Sequence, residues 1–195
     1  MNAIDGLKSW QDLILWISGG SERLPTMEQR YEQGCCSFND RPFVNGYIRR
    51  MERAIAVGSD HAGFELKKQV VERLTQLGWV CQDFGTHSRE SMDYPDIAHP
   101  VADAVALGQA RFGVLICGSG VGVSIAANRH PKVRCALAWI PGVAKLGRNH
   151  NDANILALPA RFVTADQAMV ILDAFLQSDF EAGRHQRRVE KIEAY

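Results

Sequence analysis

Two registers run along the chain. From Arg53 onward, short apolar runs alternate with stretches of helical period, whereas residues 21–50 keep no steady period. Ala54–Val57 is the first apolar run and leads into Gly58-Ser59-Asp60-His61. Phe64 to Leu77 follows with Leu66, Val70, Leu74 and Leu77 on one helical face, and Gly78 stops it. Trp79–Phe84 predicts a second strand and Gly85–Tyr94 a polar loop. Pro95 opens a helix through Ala98, Val101 and Val105 to Gly108, since proline is well tolerated at a first helical position. Phe112–Ile116 predicts the third strand, followed by a glycine turn and a helix through Ala126 to Asn128. Val133–Ala138 reads as the fourth strand, residues 141–148 as a helix and Asn154–Leu158 as the fifth strand. Thr164-x-x-Gln167 is a capping-box signature that opens a helix carrying Val170, Ile171, Ala174 and Phe175, and Glu181–Tyr195 ends in a charged helix.

Strands alternating with helices predict an α/β fold: a doubly wound, five-stranded parallel sheet with helices on both faces. The commonest order for five such strands is 2-1-3-4-5, and its crevice lies outside the carboxyl ends of strands one and three. Asp60-His61 follows strand one and Cys117–Gly122 follows strand three, so this topology brings both to one crevice.

Residues 1–50 do not join this pattern. Trp10, Leu13, Ile14 and Ile17 line one face of a short helix that Gly19-Gly20 would end, and the adjacent Cys35-Cys36 pair has no evident role. Met51 reads as the start of the folded domain, 51–195, and residues 1–50 as an extension, poorly ordered or not native to the domain. The patch Leu13–Ile17 is too short for the apolar region of a signal peptide. The chain balances 22 basic against 22 acidic residues, so no basic block argues for nucleic acid, and no long apolar run argues for a membrane span. Its five cysteines are odd in number and form no CxxC pair, which speaks against a zinc site or disulfide framework and fits a reducing cytoplasm.

The segment with the most chemistry is Leu115–Asn128, LICGSGVGVSIAAN. Gly118, Gly120 and Gly122 permit a sharp turn and a close approach of ligand to backbone. The free N–H groups of such a turn favour an anion, and a helix N-terminus favours the thiolate of a nearby cysteine. Cys117 therefore reads as a base or nucleophile beside an anion hole; the alternative is a buried cysteine ending a core strand, and the convergence with Asp60-His61 favours the chemical reading. Asp60 and His61 suit a sugar hydroxyl or a phosphate, or a turn with Asp60 capping the next helix. Asn149-His150-Asn151-Asp152 forms a polar stretch before strand five, with His150 suited to proton transfer near neutral pH. Arg184, His185, Arg187 and Arg188 form a basic cluster on the last helix, with 184 and 188 on one face; their fork geometry suits phosphate, and Glu181, Glu190 and Glu193 allow a plain solvated face instead. The glycines fit GxGxG rather than GxGxxG, no acid closes the following strand at Ala138-Trp139, and GK[ST] is absent, so dinucleotide and P-loop readings fail.

Taken together, GSDHAGFELK (Gly58–Lys67), DYPDIA (Asp93–Ala98), ICGSGVGVSIAANR (Ile116–Arg129), RNHNDANILAL (Arg148–Leu158) and EAGRHQRRVEKI (Glu181–Ile192) resemble the type B ribose-5-phosphate isomerases, a family that also holds galactose-6-phosphate and allose-6-phosphate isomerases. The resemblance covers about residues 53–193; residues 1–50 have no counterpart in it. It implies an aldose–ketose isomerase working through an enediolate, with no metal or organic cofactor and ribose 5-phosphate as first expected substrate. By the same resemblance Cys117 matches the general base, where some relatives carry an acid. Ser119 shuttles the hydroxyl proton, and the turn Gly118, Ser119, Gly120, Val121 and Gly122 stabilises the enediolate oxygen. His150 opens the furanose ring with help from Asp60, Asn151 binds a sugar hydroxyl, and His61, Arg161, Arg184 and Arg188 hold the phosphate. The resemblance also implies a homodimer or homotetramer whose sites draw on two subunits, which would account for the basic C-terminal helix. A six-carbon sugar phosphate as preferred substrate and a non-catalytic sugar-phosphate-binding module are the competing readings.

Overall fold

The computed structural model describes residues 53–193, and the expectations for residues 1–50 lie outside them. Five strands and six helices alternate: β1 (Ala54–Ser59), α1 (Phe64–Gln76), β2 (Val80–Asp83), α2 (Pro95–Ala106), β3 (Phe112–Cys117), α3 (Val121–Ala127), β4 (Cys135–Leu137), α4 (Pro141–Asn151), β5 (Ile155–Pro159), α5 (Ala165–Leu176) and α6 (Gln186–Ile192). Local chemistry sets several boundaries. Pro95 and Pro141 stand in the first turns of α2 and α4. The capping box at Thr164 is complete: the Gln167 N–H donates to Thr164 Oγ1 at 3.2 Å, and the Thr164 N–H donates to Gln167 Oε1 at 2.8 Å.

All strand pairs are parallel and the sheet is doubly wound, as the alternation predicts. Its order is 2-1-3-5-4, which corrects the last two places of the expected 2-1-3-4-5. Burial supplies the reason. Every residue of β5, ILALP, is buried, so this strand takes an interior place covered on both faces; the three residues of β4 are only half-buried and form the edge.

The changed order also decides where the helices lie. β1→β2 and β4→β5 step in one direction across the sheet, β2→β3 and β3→β4 in the other. Right-handed crossovers then put α1 and α4 on one face and α2 and α3 on the opposite face. The two halves of the core show this. Ile55, Val57, Val114, Ile116, Leu156 and Leu158 pack under Leu66, Val70, Leu74, Ala144 and, from α5, Ile171, Leu172 and Phe175. Ala56, Leu115, Ile155 and Ala157 pack under Ile97, Val101, Val105, Val123 and Ala127. In the expected order α4 would have joined α2 and α3 instead.

Two further boundaries differ. α4 extends to Asn151, so His150 stands in a last helical turn rather than in a loop, and Asp152 ends the helix in a left-handed conformation (φ 45°). α6 begins only at Gln186, so Arg184 lies in the preceding turn and the helical spacing read for Arg184 and Arg188 does not hold. Among the described residues, no helix is long and apolar enough to cross a membrane.

Candidate active site

At the carboxyl end of the sheet, β1 and β3 are neighbours, and the Asp60 N–H donates to the Ile116 carbonyl at 3.1 Å. Asp60-His61 and the Cys117 turn thus meet as the topology predicts. The thiol of Cys117 is buried at 4% exposure, and the Gly120 N–H donates to its Sγ at 3.0 Å. That donor is aimed at the sulfur by the left-handed conformation of Gly120 (φ 75°), and a Cβ there would also strike Leu137 at 2.3 Å. The turn is fastened from the two residues that follow β5: the Ala160 N–H donates to Cys117 O at 2.9 Å and the Arg161 N–H to Gly118 O at 3.0 Å. The Arg161 side chain lies against Gly118, its guanidinium 3.2 to 3.3 Å from where a Cβ would stand. Ser119 is exposed, and its Oγ accepts the Val121 N–H at 3.3 Å. The amides that open α3, at Val121 and Gly122, have no acceptor one turn earlier within the helix.

Asp60 is buried, and its Oδ1 accepts from the N–H groups of Ala62 and Gly63 at 2.9 and 3.0 Å, so the turn reading and a ligand role are compatible. His61 Nδ1 accepts from the Met92 N–H at 3.4 Å, which leaves the ring proton on Nε2. The loop after β1 is held by paired bonds between Ser59 and the 85–86 segment, each 2.7 Å. Beneath it Lys67, 2% exposed, donates to both oxygens of Asp83 at 2.5 and 2.8 Å and to the Thr86 carbonyl at 2.8 Å. Tyr94 completes this end: its ring lies over Gly122, where a Cβ would come within 2.6 Å of it. The sequence reading gave Tyr94 no role; its only local signal was the glycine that makes room for the ring.

The other candidates lie elsewhere. Strand register places Cys117 level with Pro159, while His150 and Asn151 precede Ile155 at the amino end of β5. Roughly 15 Å of strand separates the two levels. There the His150 ring stacks on His185 with centroids 4.1 Å apart and planes 6° from parallel. Glu181 Oε2 stands 3.8 Å from His150 Nε2, while the Asn149 Nδ2 donates to Glu181 Oε1 at 2.7 Å. Arg184 Nε donates to His185 Nε2 at 3.4 Å, and Arg184 and Arg188 are exposed. The Asn149 hydrogen bond and then the charges of His150, His185 and Lys145 hold the Glu181 carboxyl below the usual carboxylate range. Burial first, then His150, Arg184 and Arg188, push His185 below the usual imidazole range, so its ring is neutral near pH 7. Glu181, read from sequence as a balancing charge, is a partner of His150.

The site residues therefore fall into two groups. Asp60, His61, Cys117, Gly118, Ser119, Gly120, Val121, Gly122 and Arg161 gather at the carboxyl end, and His150, Asn151, Arg184 and Arg188 at the amino end. A buried thiol in a glycine turn lies at the switch point of a doubly wound α/β sheet, the place where such folds bind their ligands. The sequence matches the Ribose/Galactose Isomerase family over residues 55–192, and the chain belongs to that family and is an isomerase. It is 48% identical to the ribose-5-phosphate isomerase B of Escherichia coli over 142 residues, 73% of this chain and 95% of the relative. A ribose 5-phosphate isomerase from Thermotoga maritima is 48% identical with a TM-score of 0.71, covering 73% of this chain and 98% of that one. The ribose-5-phosphate isomerase B of Mycoplasma genitalium, solved with bound ribulose-5-phosphate, is 44% identical with a TM-score of 0.71, covering 73% and 95%.

Proposed function

We propose that this isomerase interconverts ribose 5-phosphate and ribulose 5-phosphate through an enediolate, in sites completed by two copies of the chain. The observation that carries the reading is the buried Cys117 sulfur accepting from the Gly120 N–H within a glycine turn, with the Arg161 guanidinium against Gly118 of that turn. His150, with Asp60, opens the furanose ring. The Cys117 thiolate takes the proton from C2 of the open aldose, and the electron pair moves to the carbonyl oxygen as the enediolate forms. Amides of the Gly118–Gly122 turn stabilise that oxygen. The thiol then returns the proton to C1, while Ser119 carries the hydroxyl proton between O2 and O1. Asn151 holds a sugar hydroxyl, and His61, Arg161, Arg184 and Arg188 hold the phosphate, whose binding helps to align the reacting carbons.

The two groups of residues reach one substrate when a two-fold axis sets the carboxyl end of one chain against the amino end of another, giving two equal sites per dimer. Exposed apolar side chains support this pairing: Trp139 at 54%, Ile140, Phe162 at 73%, and Leu146, one helical turn before His150 on α4. We assign the activity to residues 51–195 and the protein to the cytoplasm, where the free thiols of Cys81, Cys117 and Cys135 persist. The test is ketose formation from ribose 5-phosphate with EDTA present and no cofactor added, with allose 6-phosphate and galactose 6-phosphate in parallel. Turnover fastest on ribose 5-phosphate is expected. Faster turnover of a six-carbon sugar would reassign the substrate, and none on any of the three by the folded protein would overturn the reading.

A further inference from the structure

We propose that His185 is the positioning residue of the amino-end group: the face of its ring orients His150 for ring opening, and its Nε2 orients the Arg184 guanidinium for the phosphate. The proposal rests on the roles given to His150 and Arg184 above. The His185 ring lies face to face with His150, centroids 4.1 Å apart and planes 6° from parallel. Its Nε2 accepts from Arg184 Nε at 3.4 Å. Its carbonyl accepts the N–H groups of Arg188 and Val189, each at 3.0 Å, and so opens the helix on which Arg188 stands. His185 is enclosed at 6% exposure, whereas His150 is half-buried and both arginines are exposed. One fixed residue therefore carries the groups that face the substrate. Its own place is built from backbone. Ala182 and Gly183 adopt left-handed conformations (φ 52° and 55°) that turn the chain between Glu181 and His185, and the His185 N–H closes the turn on the Ala182 carbonyl at 2.9 Å. The Glu181 N–H donates to the Asn149 carbonyl at 3.0 Å, which ties this turn to the last turn of α4 and brings the two rings together.

Histidine suits both tasks at once. An arginine N–H can only donate, so Nε2 of His185 holds a lone pair and the ring proton stands on Nδ1. Phenylalanine offers a ring face without that acceptor, and glutamine an acceptor without the face. Burial, then His150, Arg184 and Arg188, keep the ring neutral near pH 7 against the pull of Glu181, which preserves the lone pair. The gain is in preorganisation. An exposed arginine loses rotamer freedom when it grips a phosphate, and an acceptor that already restricts its rotamers lowers that cost. His150 is held in the same way, by its face on His185 and by Glu181 Oε2 3.8 Å from its Nε2. A proton donor must stand within hydrogen-bond reach of the atom it serves, so the stack acts on ring opening.

The test uses the full chain and two substitutions that divide the side chain's features. His185→Phe keeps a planar ring and loses the acceptor. His185→Gln keeps an acceptor at the place of Nε2 and loses the ring. Two reactions are followed. Turnover of ribose 5-phosphate needs ring opening. Deuterium exchange at C1 of ribulose 5-phosphate, read by NMR, does not, because the phosphate on O5 leaves that ketose no furanose to form; Cys117 takes a C1 proton and returns deuterium from the solvent. His185→Phe should raise KM for both sugars about fivefold, the worth of one modest hydrogen bond, with kcat near wild type. His185→Gln should leave KM near wild type and lower kcat on ribose 5-phosphate about tenfold, the worth of one stacked pair, while exchange at saturating ribulose 5-phosphate persists. Both variants alter the same buried side chain, so a plain loss of packing would depress both reactions alike in each. Equal effects in the two variants, wild-type constants in either, or loss of exchange in His185→Gln would overturn the positioning role and leave the isomerase reading standing. If the wild-type chain carries out neither reaction, the isomerase reading fails and the positioning role with it.

Discussion

The two ends of the sheet are built in different ways. The carboxyl end is made of backbone: a glycine turn tied to the residues after β5 by two hydrogen bonds, a buried thiol that accepts from Gly120, and a loop clamped by the Lys67–Asp83 pair. The amino end is made of side chains on a helix terminus and a turn, with Asn151, Glu181, Arg184 and Arg188 all exposed. The first end is ordered before substrate arrives, as stabilising a charge that exists only during reaction requires. The second carries long, exposed side chains, and fixing such groups on a ligand costs side-chain entropy. Under the proposed function, proton transfer at carbon belongs to the former, while ring opening and phosphate capture draw on both ends.

Four experiments would break or sharpen this contrast. Cys117→Ala should lower turnover by about 10²- to 10⁴-fold, the range of general-base catalysis, while sugar-phosphate binding persists in calorimetry. Full activity in that variant would remove the chemistry from the carboxyl end. Mixing Cys117→Ala with His150→Ala, denaturing and refolding together, should recover about a quarter of wild-type turnover. Half of the dimers are then mixed, and each mixed dimer keeps one intact composite site. No recovery, although each variant alone forms dimers, would put both groups of residues to work within single chains. Arg184→Ala should raise KM for the phosphorylated sugar about tenfold and change kcat little, because it removes a charged contact remote from the reacting carbons. An unchanged KM would take Arg184 out of the phosphate site. The smallest expected effect is in stability: Asp83→Asn leaves Lys67 buried with weaker partners and should cost about 2 kcal/mol in chemical denaturation. A wild-type midpoint would show that the clamp beneath Asp60-His61 is dispensable.

Much of the carboxyl end was legible in the sequence. The alternation of apolar runs with helical periods sets strands and helices nearly where they occur, and a strand followed by GxGxG is a local arrangement. Asp60 and Cys117 meet because both follow strands that flank the switch point, a rule that needs only the first three strands. Other details were less legible. The extent of α4 to Asn151 depends on Asp152 adopting a left-handed conformation while pairing with Arg148 within the helix and with Arg134, a contact from beyond its own segment. Glu181 and His185 gain their significance from a helix 30 residues earlier in the chain, which no spacing rule joins to them.

The sequence by itself determined the element types, the parallel sheet and the glycine turn that carries Cys117, because periodicity, turn chemistry and capping act over a few residues. Only the tertiary structure decided that β5 lies inside β4, since two strands competed for one place and the more fully apolar one is covered on both faces. That choice put α4 on the face of α1 and α5. His150 stands at the end opposite Cys117 in either strand order, because a helix joining two parallel strands must run back to where the next strand begins.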